Sequence, residues 1–219
     1  MKNYPFDAEG LTDDTIKRFT ETYQKLREEF NIMPTGHIDF DLHQFKAFGK
    51  CTDVNVRGSY VIKRDCGDSY ILFVQVNYKV GDRHVTHHEE AQVWGLTYLK
   101  HNFGGVVIRR ETLTDKLLEL IHPHELDFAE DKPFSNTFYV VANDYHKATT
   151  CMTRDFRNAV MDIRDNDFMI EIVDHTLLIG NYDPVIPEKS LHIAEFVERV
   201  TEACWGGVEL NKPQNFRKL

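Results

Sequence analysis

The chain has 219 residues, with 26 basic and 35 acidic side chains, a net charge of -9 with histidine neutral, and 42% hydrophobic and 28% charged content. That length suits one globular domain with small appendages, and the composition supports a sizeable core, which excludes disordered, collagen-like and fibrous classes. A broad polyphosphate-binding surface would need a positive field, so nucleic acid is not an expected partner.

Cys51, Cys66, Cys151 and Cys204 lie far apart and form no C-x-x-C pair, so neither a zinc knuckle nor a thioredoxin-like site is signalled. The start, Met1 to Asp7, lacks the apolar core of a secretion signal, and no stretch approaches the roughly 20 apolar residues of a membrane helix. The expectation is a cytoplasmic chain with reduced thiols and no transmembrane segment.

The first element is an amphipathic helix, because Ile16, Phe19, Tyr23, Leu26 and Phe30 recur at three- and four-residue spacing. Thr12 can cap it, Asp13 and Asp14 favour the positive end of its dipole, and Pro34 to Gly36 close it. From His37 to Gly49 the period is mixed, and Leu42, Phe45 and Phe48 favour a short helix ending at Gly49.

The middle predicts an antiparallel β-meander. Val54 to Arg64, Tyr70 to Val80 and Arg83 to Tyr98 are extended runs, separated by Asp65 to Asp68 and by Gly81-Asp82, which suits a two-residue hairpin turn. Gly95 is placed to make a bulge or kink in the third run, and Val106 to Arg110 gives a fourth, short strand.

Helices and strands then alternate. Thr112 to Ile121 reads as a helix stopped by Pro123, Asn136 to Ala142 as a strand, and Asn143-Asp144 and Thr153 as caps of two helices. Phe168 to Val173 and Thr176 to Asn181 read as a hairpin across Asp174-His175, and Pro187 opens a last helix closed by Trp205-Gly206-Gly207. The fold class is α+β: an antiparallel meander followed by an alternating half, with the amphipathic helix in front. Residues 1–36 form the N-terminal helical segment, 37–207 one α+β domain in which 127–133 is an acidic loop, and 208–219 a polar tail.

The run Phe134-Ser135-Asn136-Thr137-Phe138-Tyr139-Val140-Val141-Ala142-Asn143-Asp144, followed by Ala148 and Thr153, resembles a bacterial family called the domain of unknown function 3137. The resemblance covers residues 134–180 and rests on a Phe-x-x-x-Phe-x-Val strand, an acidic end, an alanine, a helix and a hairpin such as Met169 to Gly180. It implies a soluble domain that members often carry behind membrane helices, where this chain has its amphipathic helix instead. It supplies no catalytic residues, so it implies no activity.

Two histidine clusters are the candidate chemistry. In His84-Val85-Thr86-His87-His88-Glu89-Glu90, alternation puts His84, His88 and Glu90 on one strand face and His87 and Glu89 on the other. Imidazole and carboxylate suit a divalent metal such as zinc or iron. His84 and His88 would sit about 13 Å apart on a straight strand, so a shared ion would need His88, Glu90 and a ligand from a neighbouring strand. The competing reading is a solvated sheet face. The second cluster, His122, His124 and Glu125, falls at a helix end, where the dipole favours histidine and acid/base use would need a pocket.

No serine stands in a G-x-S-x-G setting, Gly104-Gly105 and Gly206-Gly207 make no phosphate loop, and no cofactor is signalled beyond that metal. Arg109-Arg110 and Lys212 to Lys218 are short basic pieces. The expected function is therefore a non-enzymatic module that binds a protein partner or forms a homo-oligomer. The alternative is a metal-assisted or acid/base enzyme built on a histidine/glutamate cluster.

Overall fold

In the computed structural model, which describes residues 4–36, 38–80, 86–110 and 124–205, the first helix starts where the sequence places its cap. Helix α1 (Asp13–Phe30) is preceded by Thr12, whose hydroxyl accepts the Thr15 N–H, and it ends at Asn31 in the left-handed conformation. It buries Phe19, Thr22 and Leu26, and the Phe19 ring stacks on Phe73 at 4.6 Å between centroids.

A two-residue strand, β1 (Met33–Pro34), leads to two 3-10 turns, Leu42–Gln44 and Lys46–Phe48, where the sequence favours a short helix. Strands β2 (Cys51–Arg64), β3 (Gly67–Val80) and β4 (Thr86–Tyr98) then pair in succession, all antiparallel, as the meander requires. β2 carries two irregularities, between Cys51 and Asp53 and between Val56 and Gly58.

The register across β3 and β4 differs from the one expected. A two-residue Gly81-Asp82 turn would set Val80 opposite Arg83, whereas Val80 pairs with Thr86. The odd shift changes which residues share a face across the two strands.

The remaining strands are β5 (Gly105–Arg110), β6 (His124–Glu125), β7 (Phe138–Ala142), β8 (Met169–Val173) and β9 (Thr176–Gly180). Among the described residues these nine strands lie in one antiparallel sheet of order β1-β2-β3-β4-β9-β8-β5-β7-β6, so the fold is mixed α+β. A short helix, α2 (Lys132–Ser135), for which Pro133 fits the first turn, precedes the expected 136–142 strand, and β7 begins two residues later than expected, at Phe138.

Helices α3 (Tyr145–Cys151) and α4 (Arg154–Met161) start at their expected caps, with Asp144 accepting the Lys147 N–H and Thr153 accepting the Phe156 N–H. Arg157 of α4 is buried and holds the acidic 127–133 loop. It donates to Asp131 at 2.8 Å and to the Met152 carbonyl at 2.8 Å, pairs with Glu130 at 3.2 Å, and lies over the Phe128 ring. Helix α5 (Pro187–Trp205) crosses the sheet on the same face as α1 and α4.

Gly95 is not a bulge, since the β3 to β4 ladder runs through it without a shift. Its role is close approach: a Cβ there would fall 2.7 Å from methyls of Ile193 and Val197 on α5. The two sheet faces bury separate cores. The helical face holds Phe19, Ile71, Phe73, Val106, Phe138, Ile170 and Val197, and the opposite face holds Phe45, Phe48, Leu72, Val74, Val76, Trp94 and Leu178 beneath the 3-10 turns.

The Gly81-Asp82 turn itself, the 112–121 helix, the glycine end of the last helix and the 208–219 tail lie outside the described residues. No described helix is long and apolar enough to cross a membrane.

β4 and β9 meet at Trp94 and Gly180, where a Cβ on residue 180 would lie 2.4 Å from the indole. Gly180→Ala is therefore expected to destabilise the fold by about 1–3 kcal/mol, the cost of overpacking a filled core. In urea unfolding the midpoint should fall with an unchanged slope.

Candidate functional site

The second face of the sheet presents the even-numbered residues of β4 in a row: His88, Glu90, Gln92 and Trp94. They form a polar ladder. The Trp94 Nε1–H donates to Gln92 Oε1 at 3.0 Å, Gln92 Nε2 donates to the Tyr182 carbonyl at 3.2 Å, and the Tyr78 hydroxyl donates to Glu90 Oε1 at 2.6 Å. His88, directly opposite Tyr78, stacks on its ring at 5.6 Å between centroids. The bond to Glu90 is the main reason that the Tyr78 phenol is pushed up to about 12, since losing its proton would leave two anions in contact.

This ladder forms one wall of a cleft of about 350 Å3. The opposite wall is the second 3-10 turn and the start of β2, with Lys46, Ala47, Lys50 and Cys51, and Val76 and Tyr182 complete the lining. Burial, followed by the charge of Glu90, raises the Cys51 thiol, so it stays protonated and is a weak nucleophile. Cys66, Cys151 and Cys204 are raised as well, in each case chiefly by burial.

The turn that makes the cleft wall is held from below by a buried carboxylate. Glu171 of β8 accepts the N–H groups of Lys46 and Ala47, each at 2.9 Å, and so caps the turn from across the sheet. Burial outweighs these hydrogen bonds and pushes its carboxyl up.

A second opening lies at the sheet edge. β1 pairs with β2 only at Tyr60 and Val61, while the Asp7 and Thr35 N–H groups occupy the carbonyls of Arg57 and Ser59. Cys51 to Val56 therefore has no outer strand among the described residues. A groove of about 600 Å3 runs beside it, lined by Ile38, Phe40, Leu42, Val54 and Val56 with Asp39, His43 and Arg57. Ile38 is 37% and Val56 38% exposed, and Met33 at the same edge is 42% exposed.

Of the residues singled out in sequence, Glu90 lines the cleft and His88 stacks on Tyr78 beside it, so both contact the same tyrosine. His84 and His122 lie outside the described residues, as does the side chain of His87. His124 and Glu125 form the short exposed strand β6, and the helix at whose end the sequence places them lies outside the described residues. Five strand spacings separate β6 from β4, about 24 Å, so the two clusters do not meet. No group of three potential metal ligands occurs among the described residues. Asp174, with φ 51°, and His175 make the two-residue turn between β8 and β9, and His175 Nδ1 lies 3.2 Å from the Leu99 carbonyl. Sequence reasoning missed Tyr78, Gln92, Glu171 and the lysine pair; only the four-residue spacing of Lys46 and Lys50 was visible in one dimension.

No family model matches the chain, and no curated protein matches it in sequence. Among solved structures it is similar to the crystal structure of the mycobacterial trehalose monomycolate transport factor A, TtfA, at a TM-score of 0.55 and 10% identity. The match covers 84% of this chain and 93% of that one. The likeness is one of fold.

Two outcomes test this geometry. Tyr78→Phe should remove one late phenol, ionising near 12, from an alkaline absorbance titration and leave the rest of the curve unchanged. Glu171→Gln should cost about 1–3 kcal/mol by leaving a buried N–H without its acceptor. It should also remove a pH slope. The folded carboxyl lies above its unfolded value of 4.5, so its contribution to stability is full below pH 4.5 and is lost as pH rises through the folded value. Chemical unfolding of both chains between pH 4 and 8 checks the slope.

Proposed function

We propose that the protein is a non-enzymatic module that engages a protein partner or a second copy of itself through the open edge of β2. The observation that carries this reading is the outer edge of Cys51 to Val56, which has no outer strand among the described residues and lies beside a groove with exposed Ile38 and Val56. An extended segment added there would pair its backbone with β2 and seat alternate side chains in the groove. The two irregularities of β2 bracket the strip, which favours a short, specific addition over open-ended stacking.

The groups able to do chemistry support the same reading. Glu90 is held by Tyr78, Glu171 by two backbone N–H groups, and the four thiols are protonated and free of disulfides. Free thiols also suit a cytoplasmic location, and we infer that the module works there.

Val56→Lys places a charge where an added strand must lie, and Val56 is exposed enough for the fold to accept it. If the occupant is a second copy, the mass by light scattering doubles with concentration and Val56→Lys stays monomeric. If it is another protein, immobilised wild type retains a chain that immobilised Val56→Lys loses. A monomer at every concentration, with the same proteins retained by both chains, overturns the reading.

A further inference from the structure

We propose that the cleft between the Lys46–Lys50 wall and the β3 to β4 ladder binds a small amphipathic carboxylate, a separate ligand from the partner at the β2 edge. Its floor is apolar and rigid. Val76 is almost fully buried, Ala47 sits on the turn fixed by Glu171, and behind Gln92 stands the Trp94 indole, edge-on to Tyr182 at 6.0 Å. The rings of Tyr78 and Tyr182 and the Cys51 thiol, protonated and hence apolar, extend this surface to the mouth. A volume of about 350 Å3 lies in the range of small-ligand pockets, which are mostly apolar with a few polar groups that fix the ligand's direction.

The charges set that direction. Lys46 and Lys50 project from one wall, and Lys50 is exposed at the mouth. On the other wall the Glu90 carboxylate accepts from Tyr78 at 2.6 Å and from Gln92 at 3.4 Å, so its charge is partly satisfied from the sheet side. Glu171 faces its two N–H groups beneath the turn and is not part of the lining. A ligand with its tail on Val76 and the tyrosine rings would bring its head out beside Lys50. There a carboxylate gains the lysine field, an alcohol gains little, and a quaternary ammonium is repelled.

The probes are decanoate, decanol and decyltrimethylammonium, each below its micellar concentration, titrated into the full chain by calorimetry. Trp94 emission, isolated in Trp205→Phe, reports where they bind. Decanoate is expected to bind one per chain and shift Trp94 emission, with decanol at least tenfold weaker and the ammonium unsaturable. Lys50→Glu should weaken decanoate at least tenfold and leave decanol unchanged. Cys51→Phe, which fills the mouth, should abolish both. Equal affinity for the three head groups, decanoate binding indifferent to Lys50→Glu, or binding that survives Cys51→Phe each overturns the proposal. Val56→Lys leaves decanoate binding intact, so this proposal and the β2-edge reading fail separately.

Discussion

The fold turns on the contact between the Trp94 indole and the bare backbone of Gly180. Five residue pairs between β4 and β9 join the meander to the strands of the second half, and this is the pair on which the widest side chain of the sheet lies against the residue that has none. Any side chain at 180 would prise the two sheet segments apart or turn the indole away. The same indole anchors Gln92, whose amide is the inner end of the ladder leading to Glu90 and Tyr78. The packing that closes the sheet therefore also fixes the cleft wall.

The two faces of the sheet are covered by different means, which explains where the openings fall. On one face α5 lies close over Gly95 and is tied by a buried hydroxyl cluster, with Thr201 within 2.8 Å of Ser69 and 2.7 Å of Thr97. On the other face two 3-10 turns replace a helix. Each is three residues long and cannot by itself span the width of the sheet, so the chain leaves a groove beside β2 and a cleft beside β4. Glu171 is what keeps this thin cover in place. A buried carboxylate costs desolvation, offset in part by the two backbone N–H groups it satisfies.

Local signals carried much of the fold in readable form. Thr12, Asp144 and Thr153 act as caps because their side chains need only the next three residues to find a partner. The β8 to β9 turn at Asp174-His175 was legible for the same reason. Hidden information was relational. A two-residue Gly81-Asp82 turn would have placed Tyr78 opposite Val85, and only the observed register puts it opposite His88 and diagonal to Glu90. Glu171 had no readable role, because its partners Lys46 and Ala47 are brought near only when the sheet is assembled. Gly95 could be recognised as special, yet nothing local distinguished a bulge from the seat of a helix that lies about a hundred residues further along the chain.

The seam between β4 and β9 also has a kinetic meaning. The β2 to β3 and β8 to β9 hairpins close over short loops, whereas Trp94 must find Gly180 across the whole α/β insertion, and closure entropy grows with that loop. Because native contacts of high sequence separation slow folding, the order of events implied is two locally formed sheet segments that dock late. Gly180 would then show a small φ-value and affect the unfolding rate more than the folding rate. The residue that decides how the finished sheet holds together would have little say in how quickly it forms.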